Sequence, residues 1–168
     1  MEFKVGDKVV YPNHGVGVIE EVLQTQAGGV DQAFFRLRIA SNGSTVLVPT
    51  ANTKQVGLRK VLTRKDVDKV YRALRSSKIS VTQDWKGRFQ EHSEKMRSGD
   101  IYEVAAVMKS LTLLSKTKNL SYRERKMLDK SRYLIVSEIA SVSSLKETEV
   151  EQKVDKAVAV SLRNNRDH

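Results

Sequence analysis

Short runs of alternating apolar and polar residues fill the first sixty positions, and this period of two predicts β-strands. In Gln32–Ala40, Phe35, Leu37 and Ile39 alternate with arginines. The run Thr45–Val48 is stopped by Pro49. Turn signals separate the runs, namely Pro12-Asn13-His14-Gly15, the segment Gln24–Val30 and Ser41-Asn42-Gly43. Four or five short strands predict a small SH3- or Tudor-like β module, whose exposed edge can accept a partner's strand.

The remaining sequence has apolar residues at helical spacing, preceded by residues that cap helix N-termini. Gly99 is expected to end one helix, and Ser76–Thr82 resembles a linker. The capping signals are the pairs Thr63 with Asp66, Asp100 with Glu103, Ser121 with Glu124 and Thr148 with Glu151, together with Asp84. The pattern predicts an α+β fold, with a β module at 1–60, a basic domain of four to five helices at 61–160 and a disordered tail at 161–168.

The net charge of +10 and the pI near 9.8 indicate a polyanionic partner. Residues 69–132 hold 16 Lys and Arg against 7 Asp and Glu, whereas residues 133–168 hold 5 against 6. Solvated helix faces usually mix both signs, so this excess favours phosphate contacts. There is no run of about 18 apolar residues and no apolar leader, so we expect a cytoplasmic protein without a membrane partner.

Residues able to perform catalysis are few. The sequence contains no cysteine, and His14, His92 and His168 are scattered. The stretch that begins at His14-Gly15-Val16-Gly17 lacks the third glycine of a dinucleotide fingerprint, because Glu20 stands there. These glycines are better explained by a turn and by close strand packing. We therefore expect a protein that is not an enzyme and has no metal, cofactor or small-molecule substrate.

Trp85, the only tryptophan, allows two interpretations. It opens a predicted helix and shares helical spacing with Phe89 and Met96, which is typical of a buried stripe. Alternatively, it is an aromatic wedge that enters a base step from the minor groove, while Lys86 and Arg88 hold nearby phosphates. A helix N-terminus favours phosphate as well.

Several further motifs lie between about residue 2 and about residue 145, namely Phe3-Lys-Val-Gly-Asp-Lys-Val-Val-Tyr-Pro12, His14-Gly-Val-Gly17, Thr45-Val-Leu-Val-Pro49, Val56-Gly-Leu-Arg59, Trp85, Ser98-Gly-Asp100, Leu120-Ser121 and Glu124-Arg-Lys-Met-Leu128. Together these motifs resemble the CarD/CdnL family of bacterial RNA-polymerase-binding transcription regulators. The N-terminal motifs alone are also similar to the polymerase-docking module of the transcription-repair coupling factor, and the region around Trp85 makes the match specific to the smaller regulators.

The resemblance implies that the β module docks on the RNA polymerase β subunit and that the helical domain contacts promoter DNA at the upstream edge of the bubble. A tryptophan wedge would stabilise the open complex without a cofactor, in a cytoplasmic, nucleoid-associated setting. The expected DNA contacts are Trp85, Lys86, Arg88, Arg123, Arg125 and Lys126. The expected polymerase contacts are Thr45, Val46, Leu47, Val48 and Pro49. Leu47 stands where some relatives have arginine, so strand pairing rather than an ion pair is expected there.

Two other functions stay open at this point. Val5-Gly-Asp-Lys-Val-Val with Gly15-Val-Gly-Val-Ile also resembles the KOW-type modules of ribosomal and elongation proteins, which predicts an RNA- or ribosome-binding protein. The basic middle of the chain is also compatible with nonspecific DNA compaction. The tryptophan helix joined to a β module favours the polymerase-docked regulator, because a ribosomal module needs no wedge.

Overall fold

The computed structural model describes residues 3–81 and 84–166, and its contacts divide the chain into two compact units with the boundary between Val61 and Leu62. The first unit is a five-stranded antiparallel sheet and the second is a set of five helices, which confirms the predicted α+β fold. The strands are β1 (Lys8–Tyr11), β2 (Gly15–Ala27), β3 (Val30–Ile39), β4 (Thr45–Pro49) and β5 (Arg59–Lys60), with a 3-10 turn at Thr50–Asn52.

The sheet has the strand order β4-β3-β2-β1-β5, so β4 and β5 are its edges. The alternation predicted for β3 is confirmed, because Phe35, Leu37 and Ile39 are buried. Phe35 and Leu37 belong to a core that also includes Phe3, Val9, Ile19, Val48 and Leu58. Gly17 faces β3 so closely that an added Cβ would lie 2.9 Å from the carbonyl oxygen of Arg38. Close strand packing therefore explains this glycine.

The hairpin between β2 and β3 is longer than the sequence predicted. The expected turn Gln24–Val30 is wrong, because cross-strand pairing continues to Ala27 and Val30. Only Gly28 and Gly29 form the turn, and both have positive φ, at 65° and 79°. Two glycines in succession supply the left-handed backbone that a tight two-residue hairpin requires.

The helices are α1 (Arg64–Arg75), α2 (Trp85–Ser98), α3 (Ile101–Ser115), α4 (Tyr122–Val142) and α5 (Glu147–Arg166). The side chains of Asp84, Asp100 and Ser121 accept hydrogen bonds from backbone N–H groups of α2, α3 and α4, as their positions predicted. Gly99 ends α2 with a φ of 73°. Thr63 is the N-cap of α1, but its hydroxyl donates to the Asp66 carboxylate, at 2.8 Å, instead of capping a backbone group.

The helical core centres on α3, which contacts each of the other four helices. Its buried residues include Val104, Val107 and Leu111, and the neighbouring helices add apolar side chains such as Leu74, Ile135, Ile139, Val150 and Val154. Burial of this kind contributes about 25 cal/mol for each Å² of apolar surface removed from water. The hydrophobic surface of α3 therefore holds the second unit together.

The predicted disordered tail is wrong for residues 161–166, and residues 167 and 168 lie outside the described residues. Helix α5 continues to Arg166 because its last turns have polar anchors as well as the buried Leu162. The hydroxyl of Ser161 donates to the carbonyl of Ser76 at 2.5 Å, and the amide of Asn165 donates to that of Ser77 at 3.0 Å. The same bonds fasten the start of the stretch predicted to be a linker.

Candidate nucleic-acid interface

The N-terminal ends of α2 and α4 lie side by side in the second unit. Trp85 is the first residue of α2, and its indole Nε1 donates to the hydroxyl of Ser121, the N-cap of α4, at 3.4 Å. Free backbone N–H groups and the helix dipole make such ends favourable places for anions. Two positive helix ends are thus combined with one aromatic side chain.

The indole of Trp85 is only partly covered. It is 40% exposed and stacks on Phe89, with ring centroids 5.3 Å apart and an angle of 11° between the ring planes. The guanidinium carbon of Arg123 lies 5.5 Å from the centroid of the Phe89 ring. Met96, the third member of the predicted stripe, is buried. The stripe therefore runs along α2 from a partly exposed indole at its start to a buried methionine near its end, and only the part near Met96 belongs to the core.

Lys86, Arg123, Arg125 and Lys126 are exposed on the first turns of these two helices. The ammonium of Lys126 lies 5.1 Å from the centroid of the Tyr122 ring. Cations above exposed aromatic rings suit a partner that offers both phosphates and bases. We call the set Trp85, Lys86, Tyr122, Arg123, Arg125 and Lys126 the α2/α4 surface.

Arg88 corrects the sequence-based expectation, because it is buried and does not face solvent as a phosphate contact must. Its side chain is 6% exposed and pairs with Glu124, whose side chain is 3% exposed. The Arg88 Nε donates to Glu124 Oε2 at 2.8 Å, and a terminal nitrogen donates to Oε1 at 3.3 Å. Burial opposes ionisation of the carboxyl, but the hydrogen bonds and charge of Arg88 outweigh it, so the pKa of Glu124 is lowered.

His92 lies one turn further along α2 and is buried as well, at 4% exposure. Its Nδ1 has no hydrogen-bond partner among the described residues. Burial lowers the pKa of His92 below its ordinary value of 6.5, against the opposing charge of Glu91. The imidazole of His92 is therefore neutral at neutral pH and packs in the interior on the buried side of α2. The charges of Arg88 and Glu124 are close enough to act on it.

Sequence reasoning missed two residues of this region. Tyr122 is 65% exposed directly after the α4 cap, and its position before three basic residues was the available signal. Lys118, in the connection between α3 and α4, lines a cavity of about 380 Å³ together with Arg125. Lys118 and Arg125 line the same cavity because the chain folds back between the two helices, and sequence spacing could not show this proximity.

The predicted polymerase-binding segment forms an edge of the sheet in the first unit. In β4, Val48 is buried, Val46 and Pro49 are partly buried, and Thr45 and Leu47 are exposed. Ile39 N donates to the carbonyl of Ser44, and hydrogen-bonded pairs alternate along an antiparallel ladder. Val46 and Val48 therefore bond to β3, whereas Thr45 and Leu47 direct their backbone groups to the open edge. Pro49, which has no N–H, occupies a position that needs none.

Two general features of the described residues bear on chemistry. No group of three or more His, Cys, Asp or Glu among them is arranged to hold a metal ion. Of the helices in residues 3–81 and 84–166, none combines the length and apolar character needed to cross a membrane.

Comparison with known proteins gives matches along most of the chain. Residues 3–62 match the family model of the CarD-like/TRCF RID domain, and residues 69–155 match that of the CarD C-terminal domain. Over 151 residues the chain is 28% identical to YdeB of Bacillus subtilis (strain 168), a candidate transcription factor by name, covering 88% of this chain and 97% of YdeB.

Two solved structures from Myxococcus xanthus are similar to part of this chain. One is the solution NMR structure of the 72-residue N-terminal domain of CarD, at 34% identity, covering 35% of this chain and 79% of that one with a TM-score of 0.31. The other is CdnLNt, at 39% identity, covering 38% and 90% with a TM-score of 0.33.

Proposed function

This chain belongs to the CarD-like family of transcription factors, and from that premise we propose that it docks on the RNA polymerase β subunit and stabilises the open promoter complex. The first unit provides the docking surface. The α2/α4 surface contacts promoter DNA in the minor groove at the upstream edge of the bubble. The proposal includes no catalytic step, no cofactor and no small-molecule substrate, and it places the protein in the cytoplasm, on the nucleoid through polymerase.

The observation that best supports promoter DNA as a partner is the partly exposed Trp85 between two positive helix ends. An apolar wedge that enters a base step must be exposed enough to reach the bases and supported enough to stay in place. The indole meets both conditions, since 40% of it is exposed and its other side stacks on Phe89. Lys86 and Arg123 are placed to hold the adjoining phosphates.

Its effect on transcription follows from which state of the promoter the wedge supports. Unstacking a base step costs a few kcal/mol in free duplex DNA, but the step at the edge of a bubble is already open. An aromatic side chain that fills the gap therefore favours the melted state over the closed state. The predicted result is slower collapse of the bubble, with little change in initial promoter binding.

The docking part rests on the open edge of β4. The backbone groups of Thr45 and Leu47 can pair with a strand of the β subunit by edge addition, in which main-chain hydrogen bonds supply much of the affinity. This mode tolerates Leu47 in place of a charged residue. The exposed side chain of Leu47, at 51%, then adds apolar contact area.

Purified components test the proposal against the ribosomal and DNA-compacting alternatives. The immobilised full-length chain is offered core RNA polymerase, ribosomal subunits and promoter DNA in separate experiments. We expect tight retention of polymerase through its β subunit, weak and salt-sensitive retention of DNA, and no retention of ribosomal subunits. Retention of ribosomal subunits without polymerase would favour the KOW-like interpretation, and retention of DNA alone would favour compaction.

A further inference from the structure

The hydroxyl of Ser121 joins the indole of Trp85 to the buried part of the helical unit. It accepts one hydrogen bond from the indole Nε1 at 3.4 Å and one from the backbone N–H of Glu124 at 3.2 Å. It donates one to the Glu124 carboxylate, Oε1, at 3.4 Å. A hydroxyl has one donor and two acceptor sites, so this set uses all three.

Each partner of this hydroxyl is fixed from a different side. Glu124 is buried and held by Arg88 of α2, so its carboxylate cannot follow a moving serine. The helix geometry of α4 fixes the backbone N–H of Glu124. The indole, stacked on Phe89, is the one member of the set that extends into solvent. The contacts therefore restrain an exposed aromatic ring by linking it, through Ser121 and Glu124, to the buried packing between α2 and α4.

We infer that Ser121 is a positioning residue for Trp85, a role that rests on the proposed wedge function. An exposed tryptophan on a helix end would sample several rotamers, and ordering it on DNA would cost conformational entropy. The bond to Ser121 selects one orientation before DNA arrives. It keeps the indole parallel to Phe89 and leaves the uncovered part of the ring as the surface offered to a base step.

The chemistry of the position restricts which residue can do this. Asp or Asn would also cap α4, but an aspartate would place a second carboxylate beside Glu124 and could not donate to it. Glycine is a tolerable N-cap but has no hydroxyl. Threonine preserves both the cap and the hydroxyl. Ser121→Gly and Ser121→Thr therefore separate positioning of the indole from capping of the helix.

The test has one arm on the protein alone and one on the promoter complex. Because Trp85 is the only tryptophan, its indole N–H gives a single NMR cross-peak, and its fluorescence can be quenched by iodide. We expect Ser121→Gly to shift that peak and increase quenching, with Ser121→Thr close to wild type. On the complex, Ser121→Gly should shorten the open-complex half-life about 2- to 12-fold, the factor that one lost hydrogen bond represents.

Asp100→Gly is the matched control, since it removes an N-cap side chain from α3 and touches no residue of the α2/α4 surface. It should leave the half-life unchanged, so a loss equal to that of Ser121→Gly overturns the inference. An unshifted indole peak in Ser121→Gly, or a wild-type half-life where Trp85→Ala shortens it, overturns it too. If Trp85→Ala leaves the half-life unchanged, the wedge function itself fails, and the indole peak alone then decides whether Ser121 holds the ring.

Discussion

Arg88 and Glu124 form a buried ion pair with two hydrogen bonds that fastens helix α2 to helix α4. The shorter of the two hydrogen bonds measures 2.8 Å, and both side chains are almost fully covered. Two charged groups can be buried away from water because the attraction and hydrogen bonds between them offset the cost of losing their hydration. The pair therefore sets the relative position of the two helix ends that carry Trp85 and Ser121.

Removal of one member of this pair should cost more than removal of both. Arg88→Met leaves the Glu124 carboxylate buried without its cation, and we expect a loss of about 3–5 kcal/mol in the free energy of unfolding. The double variant Arg88→Met/Glu124→Met replaces the pair by apolar side chains and should lose less than either single variant. Urea denaturation measures all three. Losses that simply add would show that the two residues act independently.

The buried His92 should make stability fall with decreasing pH, in a window that opens near the ordinary histidine pKa of 6.5 and extends below it. Burial lowers its pKa in the folded state below 6.5, so the unfolded chain binds the proton first as the pH falls. The contribution of this residue is thus present above the unfolded pKa and is lost below it, by up to about 1.4 kcal/mol per pH unit. Among the groups that act on it, Glu91 and Glu124 oppose the shift, whereas Lys95 and Arg88 add to it.

His92→Leu should flatten this pH dependence, because leucine is apolar and does not titrate. The free energy of unfolding, measured by urea at several pH values across the window, gives the slope for both proteins. Equal slopes would mean that His92 does not bind its proton preferentially in the unfolded chain.

Charge reversal on α4 should change how DNA binding depends on salt. Each lost phosphate contact removes about 0.9 from the slope of log K against log salt concentration. Arg125→Glu/Lys126→Glu removes two candidate contacts, so we expect it to flatten the slope by nearly twice that amount. Lys153→Glu/Lys156→Glu makes the same charge change on exposed positions of α5 and should have a smaller effect. Equal effects of the two pairs would point to net charge rather than to the α2/α4 surface.

A proline scan along β4 should distinguish the open edge from the side bonded to β3. Leu47→Pro removes an N–H that faces the open edge, so it should weaken binding to the polymerase β subunit while the sheet remains folded. Val46→Pro removes a donor to β3 and should destabilise the first unit itself. Surface plasmon resonance on the β subunit and thermal unfolding measure the two effects. A Leu47→Pro variant that folds and binds as well as wild type would exclude β4 as the docking edge.

Local signals in the sequence were sufficient for much of the fold. Helix caps such as Asp84, Asp100 and Ser121 act on backbone groups within three residues, so their chemistry is visible in a short window. The alternation in β3 and the Gly99 stop are equally local. The exposure of Trp85 was left open because a residue on a helix end can face either way.

Two of the errors, at Arg88 and at the end of α5, involve partners that are far apart in the sequence. Arg88 was expected on the surface, yet the carboxylate that buries it lies 36 residues away in α4. The end of α5 was expected to be disordered, yet Ser161 is anchored to a carbonyl 85 residues earlier. A charged side chain or a polar helix end is normally solvated unless tertiary structure supplies a partner, and no local pattern announces that partner.

The central claim is that Trp85 supports the melted promoter and is not simply part of the core. Trp85→Ala should retain polymerase binding. Its loss in the free energy of unfolding should be far smaller than the roughly 3–5 kcal/mol that truncation of a buried aromatic costs. Tyr133→Ala is the matched control, because that aromatic residue is 39% exposed on α4 against 40% for Trp85.

The decisive measurement is the decay of preformed open complexes after competitor is added, made on variants whose thermal unfolding is known. We expect Trp85→Ala to shorten the half-life about 5- to 150-fold, the factor that corresponds to one base–aromatic stack, with Tyr133→Ala at the wild-type value. A large fall in melting temperature for Trp85→Ala, together with wild-type decay per folded molecule, would contradict the account.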